Sequence, residues 1–233
     1  PWALLNRAVA LKHTEKYAES LRDLDRLIAL KHSPLLPSAY RSRAYVRLHT
    51  GDLQGAQSDE DASLKMQPRN PKAIFGLARL AWVQGNEPRA LGHISRALQI
   101  DPHSTYNHRF RAMLLRYRGE IREAIADLDR AVAHEPGANQ LLAARGTILL
   151  RQGRVSAARA DFDRSVEIRP ELAAPHWERG ILFHARQGNY AAALKDLDAA
   201  MELVGAENYV GLSIMRYLVA LRVPDAKPDA GAL

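Results

Sequence analysis

The stretch GLARLAWVQGNEPRALGHISRALQIDP, Gly76 to Pro102, reads as two helices joined by a turn. Apolar residues recur at helical spacing on both sides of Gly85, which stands where a left-handed residue ends a first helix. Pro102 follows the last apolar position and stops the second helix. This punctuation returns along the chain. Pro68, Pro102, Pro136 and Pro170 are each 34 residues apart, and Gly51, Gly85, Gly119 and Gly153 keep the same period, with Gly188 following after 35. Ala56, Ala90, Ala124 and Ala158 do likewise, and Ala193 again follows after 35. Three residue types locked to one period mark an internal repeat, which decides the architecture before local structure does.

Six units follow, near 1–36, 37–70, 71–104, 105–138, 139–172 and 173–207. The first carries two extra residues in its exit loop, His32-Ser33-Pro34-Leu35-Leu36, and the sixth carries one extra between its helices, around His184 to Gln187. Position eight is small throughout (Ala8, Ala44, Ala78, Ala112, Gly146, Gly180), as is position twenty (Ser20, Ala56, Ala90, Ala124, Ala158, Ala193). Small residues facing each other let two antiparallel helices approach closely. These positions, with the Pro at position thirty-two, resemble the tetratricopeptide repeat. Gly76–Pro102 and Ala144–Pro170 (ARGTILLRQGRVSAARADFDRSVEIRP) carry the resemblance best, and it extends over about 1–205. It implies an all-α fold, a right-handed α-solenoid of about six antiparallel hairpins.

Two units depart from the pattern. The first has Leu27 in a normally small position and no Pro at thirty-two; the second has Glu60 where a buried apolar residue is usual, inside Ser58-Asp59-Glu60-Asp61. The second hairpin is therefore expected to be the least well packed. Past the repeats, 208–222 reads as an amphipathic capping helix with Val210, Leu212, Met215, Leu218 and Val219 among its apolar residues. Residues 223–233, with two Pro and little to bury, read as a disordered tail or linker.

Asp-x-Asp recurs in the second helices, as Asp23/Asp25, Asp59/Asp61, Asp127/Asp129, Asp161/Asp163 and Asp196/Asp198. Five copies spread along a repeat array argue against one acid–base or metal site, and residues two apart on a helix point in different directions. The same five units have Arg at position seven (Arg7, Arg43, Arg111, Arg145, Arg179), whereas the third, with Leu77, His93 and Ser95, lacks both features. The pattern predicts an Arg in the helix–helix seam, neutralised by an Asp of its own or a neighbouring unit. Of the histidines, His13 and His49 share position thirteen without a carboxylate partner, and His176 and His184 lack metalloprotease spacing. No nucleophile motif, phosphate-binding loop or dinucleotide fingerprint is present, so neither an enzyme nor a cofactor is expected.

In the family, positions two, five, nine, twelve and thirteen point into the concave face. Carried onto the second unit they give Arg41, Tyr45 and His49; onto the third, Lys72, Phe75, Arg79 and Trp82; onto the fourth, Tyr106, Arg109, Met113, Arg116 and Tyr117. Cations interleaved with aromatics suit carboxylates and apolar or backbone groups together. The fifth unit offers Gln140, Ala143, Thr147 and Leu150, so the binding character concentrates upstream. The Asn positions of the family's chaperone-tail clamp are not matched in three successive units, which speaks against that ligand.

The net charge of +7 and a pI near 9.8 suit an acidic protein, nucleic acid or anionic lipid. Without cysteine there are no disulfides and no thiolate metal sites. No apolar run approaches the roughly 18–20 residues of a membrane span. No signal peptide is visible, and Pro1 in place of an initiator Met reads as a trimmed or processed form, in cytoplasm or periplasm. The resulting expectation is a scaffold or adaptor holding an extended or helical, acidic segment of a protein partner. The alternatives are a nucleic-acid-binding repeat protein and a non-catalytic docking arm of a larger enzyme or secretion assembly.

Overall fold

The computed structural model describes residues 1–204 and 210–223. Among them are thirteen helices and no strand. The chain divides into two compact units, 1–114 and 115–233. The first contains α1 (Trp2–His13), α2 (Tyr17–Ala29), α3 (Leu36–His49), α4 (Leu53–Met66), α5 (Pro71–Val83), α6 (Glu87–Ile100) and the start of α7 (Thr105–Arg118). The second contains the end of α7, then α8 (Ile121–His134), α9 (Asn139–Arg151), α10 (Val155–Ile168), α11 (Ala173–Glu178), α12 (Tyr190–Val204) and α13 (Val210–Ala220). Within each unit successive helices pair as hairpins. Residues 224–233 of the expected 223–233 tail and residues 208–209 of the expected capping helix lie outside the described residues.

The small positions do what their size permits. All twelve residues at positions eight and twenty are buried. At the first seam Ser20 Oγ donates to the Ala8 carbonyl at 2.8 Å, so even the polar member is satisfied. A Cβ on Gly146 would lie 3.1 Å from the Phe162 ring and 3.3 Å from the Ala158 carbonyl, too near for a comfortable contact. The glycines at position fifteen have φ between 71° and 86°, a conformation that L side chains rarely adopt. In the first unit that position is Glu15, held at φ 58°. Relief of this strain outweighs the extra freedom glycine gains in the unfolded chain. Glu15→Gly is therefore expected to raise stability by about 0.5–1 kcal/mol, read by urea unfolding. An unchanged midpoint would show the left-handed Glu to be unstrained.

Arginine and aspartate cross-link the seams as a ladder. Arg43 Nε and Nη2 donate to Asp59 at 2.9 and 2.7 Å, while Nη1 donates to Asp25 of the preceding hairpin at 2.6 Å. Arg145 repeats this with Asp161 at 2.9 and 2.7 Å and with Asp129 at 2.7 Å. Arg179 does so with Asp196 at 2.8 and 2.6 Å and Asp163 at 3.1 Å. Among the described residues, Arg7 holds Asp23 alone, at 2.6 and 2.5 Å. In four of the five Asp-x-Asp pairs the two aspartates therefore serve different seams: the first is buried in its own hairpin and the second reaches the next arginine. Asp61, which is followed by Leu77 at position seven of the third unit, accepts from Gln57 Nε2 at 3.1 Å instead. Arg216 of α13 takes Asp198 at 2.5 Å, extending the ladder to that helix.

Two expectations need correction. The second hairpin is not loosely packed: α3 and α4 lie together along their length as α5 and α6 do. Glu60 leaves that seam and lodges beside α5 instead. The extra residue of the sixth unit is taken up inside its first helix, where Arg179–His184 form a π-helical turn and Ala185–Gln187 a 3-10 turn. This wider turn keeps Arg179 on Asp196 although their separation has grown from 16 to 17 residues. In the first unit, Leu35 of the exit loop is buried with Leu5, Leu24 and Leu27. Leu27 is thus accommodated by residues that look, in the sequence, like an insertion. At the other end, α13 buries Leu212 and Val219 with Ala193, Leu197 and Ala200, while Ile214, Met215 and Leu218 are exposed.

Candidate functional site

The first unit holds a cavity of about 410 Å³ between its first-in-pair helices. Helix α1 contributes Lys12, α3 contributes Arg41 and Tyr45, and α5 contributes Lys72, Phe75 and Arg79. Tyr106 and Asn107, in the first turn of α7, close it. First helices can line one wall because the second helices carry the small residues that pack behind them. Asn70 and Pro71 fix the start of α5, with the Asn70 side chain accepting from the Lys72 N–H at 3.1 Å. That cap sets where Lys72, Phe75 one turn later and Arg79 two turns later emerge.

Tyr45 is the centre of the aromatic wall. Lys12 Nζ lies 4.6 Å from its ring centroid and the Arg79 guanidinium 4.9 Å from it. His49 lies against Tyr45, tilted, at 4.3 Å and approaches Arg79 Nη2 at 3.1 Å through Nε2. Further along, Phe75 meets Tyr106 and Phe110 edge-on at 5.0 and 5.2 Å. Burial, together with Arg41 and Arg79, lowers the proton affinity of Lys12, and burial and Arg79 lower that of His49. Burial also lowers that of Arg41, which Glu60 opposes. The cations crowd one another, so an entering anion would relieve them.

Glu60 is the exception among these groups. Only 5% of it is exposed, its Oε2 has no hydrogen-bond partner, and it lines the same cavity. Room for its carboxyl comes from Gly76, where a Cβ would fall 1.9 Å from Oε1. Burial pushes the Glu60 carboxyl up to about 8, against the pull of Arg41 and Arg79 and helped by Asp59 and Asp61. At neutral pH it is mostly the uncharged acid.

Of the residues picked from the sequence, Arg41, Tyr45, Lys72, Phe75, Arg79 and Tyr106 meet at this cavity. Arg109 instead lies over the Tyr106 ring at 5.2 Å. Trp82 and Met113 are partly buried against the core around Ile74 and Leu114. Arg116 and Tyr117 fall in the second unit, Tyr117 being largely exposed. The sequence reading passed over Lys12, Gly76 and Phe110. Lys12 occupies position twelve and was reachable by starting the transfer one unit earlier.

The description of the tetratricopeptide repeat family matches residues 56–105 and 111–173. Over those residues the chain is built of tetratricopeptide repeats. Several solved tetratricopeptide structures resemble it. The protein TTC0263 of Thermus thermophilus is 22% identical, with a TM-score of 0.64 over 83% of this chain and 98% of that one. PilW, a widely conserved type IV pilus biogenesis factor, is 19% identical, with a TM-score of 0.66 over 82% and 87%. YrrB, described as a protein with an unusual peptide-binding site, is 19% identical, with a TM-score of 0.53 over 81% and 95%. At such identities these likenesses establish the fold. No curated protein matches in sequence. Among the described residues of this tetratricopeptide protein no helix is long and apolar enough to cross a membrane.

Proposed function

We propose that this protein is a non-catalytic scaffold whose first unit holds an extended, carboxylate-bearing segment of a protein partner. The observation that carries this reading is the convergence of Lys12, Arg41, Lys72 and Arg79 with Tyr45, Phe75 and Tyr106 on one cavity. Guanidinium and ammonium groups take carboxylates, and the rings offer area for apolar side chains or backbone. A cavity of this size accommodates a few side chains, which fits a short linear segment better than a folded face.

Reversing charge at Lys72 and Arg79 tests it. A fluorescein-labelled octapeptide alternating Glu with Leu serves as the probe, with oligo-U RNA as comparator. Lys72→Glu/Arg79→Glu is expected to weaken the peptide by at least tenfold in anisotropy while lowering thermal stability only slightly, since Lys72 is exposed and Arg79 meets Tyr45 and His49 on the groove face rather than within a hairpin. Peptide affinity should fall only severalfold between about 50 and 200 mM salt, whereas a protein neutralising many phosphates loses orders of magnitude. Steeply salt-dependent RNA binding, abolished by the same double variant and without peptide binding, would overturn the reading in favour of nucleic acid.

A further inference from the structure

Resting on the groove reading above, we propose that Glu60 works as a neutral acid, donating a hydrogen bond from its carboxyl to a carboxylate of the bound segment. Three observations place it for that task. The side chain is almost wholly buried, yet it opens onto the cavity rather than into a hairpin seam. Its Oε2 has no partner among the described residues, although buried polar atoms are normally satisfied. Gly76 supplies the space that lets the carboxyl lie there, since any side chain at that position would collide with Oε1. A buried carboxyl with one oxygen unpartnered, given room by a glycine at the wall of a site lined by cations, is a recognition point for an anion that enters the cavity.

The chemistry balances without any further reactant. Two ionised carboxylates brought together repel, so one of the pair must keep a proton. Glu60 keeps it: the O–H donates to the ligand oxygen and the complex carries one negative charge. Arg41 from α3, Arg79 and Lys72 from α5, and Lys12 from α1 surround that charge. Also facing the site are His13, Tyr45, Asp101 and Tyr106, with Asp59 and Asp61 beside Glu60 on its own helix. Burial already favours the neutral form in the free protein, and a bound carboxylate favours it further. Binding is therefore tied to one proton. Affinity should be level below about pH 8 and fall about tenfold per pH unit above the value at which Glu60 ionises. Lys12 also loses charge as pH rises, so the variants must separate the two.

The experiment measures the Glu/Leu octapeptide from pH 6.5 to 9.5 on the wild type, Glu60→Gln and Glu60→Leu, with circular dichroism confirming the fold of each. For the wild type, affinity should drop at least fivefold between pH 7.5 and 9. Glu60→Gln keeps a donor that does not titrate, so its affinity at pH 7 should stay within about threefold of wild type and remain level to pH 9. Glu60→Leu should bind at least tenfold more weakly at pH 7. An amidated peptide that still binds assigns the contact to side-chain carboxylates, and a Gln/Leu peptide with a free terminus that binds assigns it to the terminal one. Either result supports the proposal. A wild-type drop that persists in Glu60→Gln, or full binding by Glu60→Leu, overturns the role of Glu60 while leaving the groove reading intact. If the uncharged, amidated Gln/Leu peptide binds as well as the acidic one, or if nothing binds at any pH, the groove reading fails, and this inference with it.

Discussion

Arg145→Ala is expected to cost about 3 kcal/mol of unfolding free energy, with a fall in Tm of roughly 6–10 °C for a domain of this size. Arg145 makes two bonds to Asp161 and a third to Asp129, joining three helices of the second unit. The Arg145 side chain is 21% exposed and that of Asp161 7%. Most of the loss comes from the carboxylate left behind. Asp161 stays buried without its cation, and an unpaired buried charge costs more than the pair contributes over an apolar replacement. Arg145→Leu is therefore expected to lose less, because Leu packs the seam, but it still strands Asp161. The third hairpin offers a natural alternative, with Leu77 and His93 at these two positions. Arg145→Leu/Asp161→His copies that pair and should recover a good part of the stability. If Arg145→Ala unfolds within about 0.5 kcal/mol of the wild type, the ladder is a surface ornament in the energetic sense of exposed ion pairs.

The ladder also marks how far sequence reading reaches. The joint presence and absence of Arg at position seven and Asp-x-Asp was enough to pair them, because a charge in a seam needs compensation there. Which Asp serves which seam was not readable from period alone. It follows from the angle between residues two apart on a helix, which sends Asp161 inward to Arg145 and Asp163 onward to Arg179. Periodic features transferred well because each is a local solution repeated: small residues where helices touch, glycine where φ is positive. The aperiodic ones did not. A one-residue insertion could have been placed in the turn or in the helix, and only packing decides for the π-helical turn at Arg179–His184. Leu35 and Leu36 look like loop residues until the core beside Leu27 is seen. At the groove, six residues taken by position meet at one cavity because first helices present the same face. Trp82 and Met113 share that register, yet their large apolar side chains turn to the core. Glu60 stood out as a departure, but its destination depends on Gly76, sixteen residues away and on a different hairpin.

That dependence yields the second large effect, which concerns Glu60 in the free protein. Its folded-state proton affinity is raised from the ordinary 4.5 to about 8, chiefly by burial. The neutral form thus contributes stability that is fully present below about pH 4.5 and is lost as pH rises through about 8. Each pH unit of that window is worth up to about 1.4 kcal/mol. Glu60→Gln has nothing to ionise, so it should track the wild type near pH 4.5 and exceed it by about 4–5 kcal/mol at pH 8.5 in urea unfolding. Parallel stability–pH curves for the two proteins would show the carboxyl to be solvated. Gly76→Ala asks the same question from the other side. In an exposed helix the change would gain about 1 kcal/mol from propensity. Here the new Cβ meets Oε1 at 1.9 Å, so the carboxyl must leave its place or α5 must shift, at a cost of about 2–3 kcal/mol. In a Glu60→Ala background the obstacle is gone and Gly76→Ala should turn stabilising. Contacting residues couple, and a reversal of sign is stronger evidence of contact than any single loss. If Gly76→Ala has the same effect in both backgrounds, the carboxyl does not sit against Gly76, and the opening onto the groove has another origin.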